Sequence, residues 1–157
     1  MIIAGTGHRP DKVGGYSKDV KIHLITVATN YLLTIPRDTI IISGMALGWD
    51  QALAQAALAL DFKVWAYVPF LGQESKWPQE IQDHYKLMLS YCDKVKYCSE
   101  PGYSAMKMQI RNAMMVDDAD SILAYYNGTP GGTQNCINYA NAKGKPVINL
   151  YKAQYHE

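Results

Sequence analysis

Glycine-rich segments hold the residues of this sequence that are best suited to bind a ligand. They read GTGHRP at residues 5–10, SGMALGWD at residues 43–50 and NGTPGGT at residues 127–133. Glycine lets the backbone approach a ligand closely, and the N–H groups at the start of a following helix attract anions. Each segment alone could be a tight turn, but three of them together predict a phosphate site. The ligand-binding candidates in these segments are Gly5, Gly7, His8, Arg9, Ser43, Gly44, Gly48, Gly131, Gly132 and Thr133.

Charged and aromatic side chains in and near these segments define the chemistry further. His8 and Arg9 could clamp a phosphate or stack on a base, and Asp50 could bind a ribose hydroxyl or cap the helix that follows it. A long loop after the third predicted strand adds a carboxylate, Glu74, and an indole, Trp77, which is either a ligand contact or part of the core. Asp50 and Glu74 are therefore the candidates for a catalytic acid or nucleophile.

The fourth predicted helix carries a pair of basic residues. Lys107 and Arg111 are four residues apart, so they share one face of that helix. The opposite face is expected to be buried through the apolar residues Met106, Ile110 and Met114. The basic pair is either solvated or, because the start of this helix is expected to lie near the ligand, contacts a phosphate through Arg111.

The elements that must position these residues alternate along the chain. Short β-type runs end in turn or glycine-rich sequence, and helical patterns fill the gaps. The strands are expected at residues 2–4, 39–43, 63–68, 94–97, 121–125 and 146–150. Strands that alternate with single helices form a parallel sheet covered on both faces. The sequence therefore predicts an α/β, Rossmann-like doubly wound fold with a mainly parallel sheet, in which ligands bind at the carboxyl ends of the strands.

Length and composition limit the class of protein. A chain of 157 residues that is 48% hydrophobic and 18% charged is expected to form one domain, residues 1–151, followed by a tail, residues 152–157. The formal net charge of +1 gives no global field to attract nucleic acid, so nucleic acid is not an expected partner. No apolar stretch is long enough to span a membrane, and a cytoplasmic protein is expected.

Common cofactor and metal motifs are missing from the sequence. A GxGxxG fingerprint beginning at Gly5 would need a glycine where Pro10 stands, and no Walker A sequence occurs. Cys92, Cys98 and Cys136 are widely spaced and lack the CxxC pairing of a zinc or redox site. The sequence therefore predicts neither a bound cofactor nor a metal ion.

The glycine-rich segments, taken with two further motifs, resemble those of the SLOG superfamily. These motifs are PF at residues 69–70 followed by QE at residues 73–74 and Trp77, and KMQIRN at residues 107–112, which adds Asn112 to the ligand-binding candidates. The superfamily includes the LOG phosphoribohydrolases and the DNA-processing protein Smf, and this sequence most resembles its small YpsA-like members. The resemblance implies a Rossmann-like domain with a nucleotide or nucleotide-derived ligand across the glycine loops. Because LOG-type relatives form dimers, the resemblance also implies a homodimer or higher homo-oligomer.

One departure from the LOG pattern bears on catalysis. LOG enzymes cleave the N-glycosidic bond of a nucleoside monophosphate with a PGGxGTxxE motif, of which this chain keeps PGG at residues 130–132. Gln134 and Asn135 occupy the positions of the motif's Gly-Thr pair, and Asn138 occupies the position of its glutamate. The amide of Asn138 cannot transfer a proton as a carboxyl group does. This departure favours a sensor or sequestering protein that binds its ligand intact. The alternative is an N-glycosidase or phosphoribohydrolase that uses one of the two candidate acids named above.

Overall fold

One six-stranded parallel sheet forms the centre of the computed structural model, which describes residues 1–152. Its strands are β1 (Ile2–Gly7), β2 (Ile40–Ser43), β3 (Lys63–Val68), β4 (Lys94–Tyr97), β5 (Ser121–Tyr125) and β6 (Val147–Asn149). The helices are α1 (Lys18–Leu32), α2 (Trp49–Ala59), α3 (Gln79–Tyr91), α4 (Ala105–Asp118) and α5 (Gly132–Ala142), and a short 3-10 helix (Pro10–Lys12) follows β1. All neighbouring strands in this sheet are parallel. The expected Rossmann-like, doubly wound fold is confirmed.

The order of the strands places a crevice at the carboxyl end of β1. The sheet runs β4-β3-β2-β1-β5-β6, so the chain builds outward from β1 to β4 and then returns to the other side of β1 with β5. The last residues of β1 and β5, Gly7 and Tyr125, are paired in register. In a doubly wound sheet this reversal separates the loops that follow the two strands and leaves a ligand site between them.

The two faces of the sheet are covered by different helices. One core cluster joins α1, α2 and α3 through residues such as Leu24, Leu53 and Tyr85. The other joins α4 and α5 through Met115 and Cys136. Successive side chains of a strand point to opposite faces, so an inner strand such as β1 contributes to both clusters, through Ile3 to the first and through Ala4 to the second. With both faces covered, the strand ends and their loops are the places left to hold a ligand.

Two glycines of β1 are required by the packing of α2. A Cβ atom on Gly5 would collide with the side chain of Leu53, and a Cβ atom on Gly7 would collide with the ring of Trp49. The Trp49 ring is stacked on Tyr125, with 5.1 Å between the ring centroids. The lack of side chains at these two positions therefore lets α2 lie close against β1.

The expectation for the buried face of α4 is wrong for Met106 and Ile110, whereas Met114 is partly buried against the core. Met106 and Ile110 are 64% and 40% exposed, whereas Arg111 is only 5% exposed. The helix buries Met115 and Val116 together with Arg111, because backbone carbonyl groups at the edge of the sheet bind the guanidinium group. The apolar residues near the start of α4 face solvent as a result.

Some expectations lie beyond what the structure describes. Residues 153–157 are outside the described part of the chain, so the division into a domain of residues 1–151 and a tail of residues 152–157 stays a prediction. Homo-oligomer formation and a cytoplasmic location stay predictions as well. Among the described residues, no helix combines the length and the apolar character needed to cross a membrane.

Candidate functional site

A cavity of about 450 Å³ opens beside the carboxyl end of β1. Its volume lies in the range of small-molecule sites. The sequence-predicted residues that line it are Gly7, His8, Arg9, Asp50, Arg111, Asn112, Gly131, Gly132 and Thr133. The candidates outside its lining are Gly5, Ser43, Gly44, Gly48, Glu74 and Trp77. The fold thus brings candidates from the three glycine-rich segments and from α4 into one site.

The start of α5 forms an anion-binding end of this cavity. Gly131 precedes the helix with a φ of 146°, a conformation that favours glycine, and within the described residues no side chain caps the first turn. A Cβ atom on Gly132 would meet no atom within 4 Å, so this residue borders open space. The N–H groups of the first turn, at the positive end of the helix dipole, are therefore available to an anion in the cavity.

Lys12 places a cation beside that helix start. Its Nζ atom donates a hydrogen bond to the carbonyl oxygen of Pro130 at 2.6 Å, and its own carbonyl accepts one from Nδ2 of Asn127 at 2.9 Å. A Cβ atom on Gly131 would lie 2.9 Å from the Lys12 ammonium nitrogen. Lys12 lines the cavity although the sequence reasoning missed it. The feature of the sequence that could have identified Lys12 is its position two residues after the GTGHRP segment.

Asp50 is a buried carboxylate that lines the cavity. It lies in the first turn of α2, is 7% exposed, and its Oδ1 atom has no hydrogen-bond partner among residues 1–152. Burial raises the pKa of this carboxyl group from 3.8 to about 6, against the opposing effects of Arg111, a backbone hydrogen bond from Ala46, and Arg9. A carboxyl group with this pKa can exchange a proton near neutral pH.

Arg111 joins α4 to the carboxyl ends of β2 and β3. Its Nη1 atom donates to the carbonyl oxygens of Gly44 at 2.7 Å and Tyr67 at 3.2 Å. Its Nε atom donates to Oδ1 of Asn112 at 2.9 Å. A Cβ atom on Gly44 would overlap the guanidinium group, which explains why glycine stands there. Arg111 therefore has a structural role and also brings a positive charge to the cavity beside Asp50.

His8 is buried at the turn after β1. Its ring lies 5.3 Å from the ring of Tyr126 and hydrogen-bonds to the Asn127 side chain, while its Nε2 atom has no partner within the described part of the chain. Burial, followed by the charge of Lys12, lowers the pKa of the imidazole from its usual 6.5. The ring is therefore neutral at neutral pH, a state suited to hydrogen bonding rather than to charge neutralisation of a phosphate.

Ser43 and Gly48 shape the loop after β2. The Oγ atom of Ser43 donates to the carbonyl oxygen of Asp50 at 2.8 Å and accepts from the backbone nitrogen of Met45 at 3.1 Å. Gly48 has a φ of 93°, and a Cβ atom there would lie 2.6 Å from the carbonyl oxygen of His8. These contacts hold the start of α2, and with it Asp50, next to the first glycine-rich segment. Direct ligand contacts by Ser43 and Gly48 stay predictions.

A second cavity, of about 860 Å³, adjoins the first. The two share Arg9, Ala46, Tyr103 and Met108 as lining residues, so they lie side by side, and we refer to the two together as the cleft. We refer to the second cavity as the aromatic groove, after its residues Tyr16, Phe70, Trp77 and Tyr103. The cleft therefore joins a cationic end to an aromatic end.

The candidates of the loop after β3 are placed differently. Trp77 lines the aromatic groove and packs edge-on against Tyr85, with 5.2 Å between the ring centroids. Glu74 is half-buried and lines neither the cavity nor the groove. The catalytic role of Glu74 stays a prediction, and Asp50 is the candidate acid that lines the cavity. Within residues 1–152, no three His, Cys, Asp or Glu side chains are grouped to hold a metal ion.

Comparisons with known sequences cover almost the whole chain. The family model YpsA, described as the YspA SLOG family, matches residues 3–155. The SPbeta prophage-derived protein YoqJ of Bacillus subtilis is 36% identical over an alignment of 115 residues, with a coverage of 63% of this chain and 67% of the relative. A UPF0398 protein of Bacillus anthracis is 28% identical over an alignment of 156 residues, with a coverage of 92% of this chain and 84% of the relative. The sequence resemblance to SLOG proteins is confirmed.

Solved structures share the fold at lower sequence identity. DNA processing protein A of Streptococcus pneumoniae matches with a TM-score of 0.69 at 20% identity, over 94% of this chain and 49% of that protein. DNA processing protein A of Helicobacter pylori matches with a TM-score of 0.66 at 19% identity, over 95% of this chain and 64% of that protein. TM1055 matches with a TM-score of 0.62 at 17% identity, over 94% of this chain and 72% of that protein. These likenesses show the fold, and this chain spans about half to two thirds of the two DNA processing proteins.

The expectation that nucleic acid is not a partner is wrong, because the net charge on which it rested does not exclude nucleic acid. The Helicobacter pylori protein, which has this fold, is described by its single-stranded DNA binding mode. Net charge over the whole chain is a poor guide for such a fold, because local cations and aromatic side chains can hold a nucleic acid strand where the net charge is near zero. The charge of +1 therefore excludes no class of nucleic-acid ligand.

Proposed function

This chain belongs to the YpsA family of SLOG proteins, and on that premise we propose that it binds a nucleotide, or a phosphate ester derived from one, in the cleft beside β1. The observation that carries the proposal is the juxtaposition of an uncapped helix start and a lysine at one end of the cleft with aromatic side chains at the other. The proposed role is that of a sensor or sequestering protein that releases its ligand unchanged.

The phosphate is proposed to lie against the start of α5. There the N–H groups of the first turn and the ammonium group of Lys12 present positive charge to one point of the cavity. A helix start stabilises an anion by about 0.3–1 kcal/mol when exposed and up to about 2 kcal/mol when partly buried. Arg9 and Arg111 add two further cations to the lining, against the carboxylates of Asp11 and Asp50.

The base is proposed to extend from the phosphate toward the aromatic groove. Aromatic side chains bind bases by stacking, which contributes about 1–3 kcal/mol per base and does not depend strongly on which base is present. The groove shares four lining residues with the cavity, and the proposal places one ligand across both. This arrangement supports a nucleotide over a simple phosphate.

A thermal-shift screen tests the proposal. The wild-type protein is heated with nucleoside mono-, di- and triphosphates, with cyclic nucleotides and with a short single-stranded oligonucleotide, and each ligand is recovered for mass spectrometry. A ligand present at 100 times its Kd stabilises the folded state by about 2.7 kcal/mol. Stabilisation by a mononucleotide that is recovered intact is the expected result. Stabilisation by the oligonucleotide alone would contradict it.

A pair of valine variants on α5 tests the location. Gly132→Val adds a side chain where the cavity is open, so it is expected to abolish the shift while the fold is preserved. Asn138→Val is the matched control, because Asn138 is exposed on the same helix and does not line the cavity. Equal ligand shifts in the two variants would refute the assignment of the phosphate site.

A second candidate function, an N-glycosidase or phosphoribohydrolase, is favoured by one observation. Asp50 is a buried acid in the cavity lining with a pKa of about 6, and carboxyl groups tuned in this way act as proton donors at neutral pH. In that reaction Asp50 would protonate the leaving base as the C–N bond breaks, a water oxygen would bond to the anomeric carbon, and the proton lost by that water would pass to the Asp50 carboxylate. Release of free base from a nucleoside monophosphate, lost in Asp50→Asn with binding retained, would support hydrolysis over intact binding.

A further inference from the structure

Tyr103 stands where the cavity and the aromatic groove meet. It lines both of them, yet its side chain is 72% exposed. One edge contact supports the ring, a T-shaped arrangement with the buried Phe70 at 6.2 Å between centroids. Isolated exposed aromatic residues are common on protein surfaces, but this one borders both ends of a single cleft. Its open ring face is therefore available to a ligand that spans the junction.

A lysine on α4 holds the loop that presents this ring. The Nζ atom of Lys107 donates hydrogen bonds to three successive carbonyl oxygens, those of Glu100 at 2.8 Å, Pro101 at 3.1 Å and Gly102 at 2.8 Å. A cation in the first turn of a helix is opposed by the helix dipole, so these three acceptors account for its placement. Tyr103 follows directly in the chain, and the ammonium group therefore fixes the backbone from which the ring projects.

Arg9 supplies a cation at the same junction. It is exposed, and it lines both the cavity and the aromatic groove. Guanidinium planes and aromatic rings both bind the face of a nucleobase. The junction therefore carries two groups that suit a planar, uncharged ring system.

We propose that Tyr103 is the residue that recognises the base of the ligand, by stacking on its ring at the junction, and that Lys107 is the positioning residue that holds Tyr103 in place. This inference rests on the proposed nucleotide-binding function and deepens it. Base recognition at this point is separate from phosphate binding at the start of α5, because Tyr103 and the α5 start belong to different loops of the cleft.

Calorimetric titration with paired probes tests the role of Tyr103. Adenosine 5′-monophosphate carries both a base and a phosphate, whereas ribose 5-phosphate lacks the base. Tyr103→Ala is expected to weaken binding of adenosine 5′-monophosphate by roughly 5- to 150-fold, the range measured for one stacked base, and to leave ribose 5-phosphate binding unchanged. Tyr103→Phe is expected to retain wild-type affinity. Tyr91→Ala is the matched control, because Tyr91 is 67% exposed and lies outside the cleft.

A double-mutant cycle tests whether Lys107 acts through Tyr103. Lys107→Met alone is expected to weaken binding of adenosine 5′-monophosphate severalfold, with rescue by Lys107→Arg, which keeps the charge and several donors. In the Tyr103→Ala background the same substitution is expected to have no further effect on affinity. A purely structural role of Lys107 would instead weaken ribose 5-phosphate binding as well.

The outcomes separate the two proposals. If wild-type protein binds both probes and Tyr103→Ala binds adenosine 5′-monophosphate as tightly as wild type, base recognition by Tyr103 is overturned while phosphate binding stands. If additive effects of the Lys107 and Tyr103 substitutions are found, the positioning role of Lys107 is overturned. If the wild-type protein binds neither ribose 5-phosphate nor a nucleoside monophosphate of any base, both the proposed function and base recognition by Tyr103 are refuted.

Discussion

Replacing Asp50 by asparagine is expected to stabilise the protein at neutral and alkaline pH. The carboxyl group lines the candidate site, is 7% exposed, and has one oxygen without a hydrogen-bond partner among the described residues. Burial raises its pKa from 3.8 to about 6 even though Arg111 and Arg9 act in the opposite direction. Ionised Asp50 is therefore less favourable in the folded protein than in the unfolded chain, and a neutral amide of the same shape avoids this cost.

The magnitude follows from the difference between the two pKa values. A difference of about 2 units corresponds to about 3 kcal/mol, at 1.36 kcal/mol per unit. Between pH 4 and 6 the folded state binds more protons at Asp50 than the unfolded state, so the free energy of unfolding of the wild type decreases as pH rises through this window. The advantage of Asp50→Asn is therefore about 3 kcal/mol at pH 8 and less than about 1 kcal/mol at pH 4. At 2–4 °C per kcal/mol, the variant should melt roughly 6–12 °C above wild type at pH 8.

Thermal and urea unfolding at the two pH values measure this effect, with Asp19→Asn as the control. Asp19 also lies in the first turn of its helix, but it is exposed. Its replacement should cost about 0.3–1 kcal/mol through the lost interaction with the helix dipole, an effect of the opposite sign. If Asp50→Asn is instead less stable than wild type at pH 8, the attraction to Arg111 outweighs burial and the reasoning is refuted.

Three further predictions follow from contacts around the cavity. Gly44→Ala should reduce the free energy of unfolding in urea by about 2–3 kcal/mol, because the added Cβ atom displaces the buried Arg111 guanidinium group from its carbonyl partners. An unchanged free energy of unfolding would show that the guanidinium group can move without cost. Lys12→Met should weaken nucleotide binding roughly tenfold and flatten its dependence on salt, whereas Lys18→Met, at an exposed site outside the cavity, should do neither. In an NMR pH titration the His8 ring should titrate below pH 6.5, and titration above pH 6.5 would contradict the burial argument. The contribution of His8 to stability should fall as pH drops through 6.5, because the unfolded chain binds the proton more readily, and this contribution is opposite in sign to that of Asp50.

Much of the fold could be predicted because its signals are local. Each β-type run ended in a glycine-rich or turn segment, and β3, β4 and β5 begin and end where the sequence placed them. Serine is a residue type preferred directly before a helix, and the Oγ atom of Ser17 accepts a hydrogen bond from the backbone N–H of Val20 at the start of α1, at 3.3 Å. The alternation of strands and helices then left a parallel doubly wound sheet as the simplest arrangement.

The roles of individual glycines could not be separated from sequence. A glycine that admits a ligand and a glycine that admits a neighbouring helix both lack a side chain for the same steric reason. Gly5 makes room for Leu53, Gly44 makes room for Arg111, and Gly132 borders open space. These differences depend on residues distant in the chain, so the spacing of glycines along one segment carries no information about them.

The burial of Arg111 could not be predicted from the sequence for a related reason. Helical periodicity places charged residues outside and apolar residues inside, which assigned Met106 and Ile110 to the core. Two carbonyl groups at the ends of β2 and β3 instead hold the guanidinium group inside. A buried arginine is stable only where such acceptors exist, and nothing in the sequence of α4 reveals them.

An NMR titration of the amide signals of wild-type protein with a nucleoside monophosphate tests the central claim most directly. The account predicts that the largest shifts occur at Gly131, Gly132 and Thr133, with further shifts at His8, Arg9 and Tyr103, because the phosphate binds at the start of α5 and the base extends to the junction. Shifts confined to another cavity, such as the one between α1, α2 and α3 that Leu24, Ala52 and Ile81 line, would contradict it, as would the absence of any shift at saturating nucleotide.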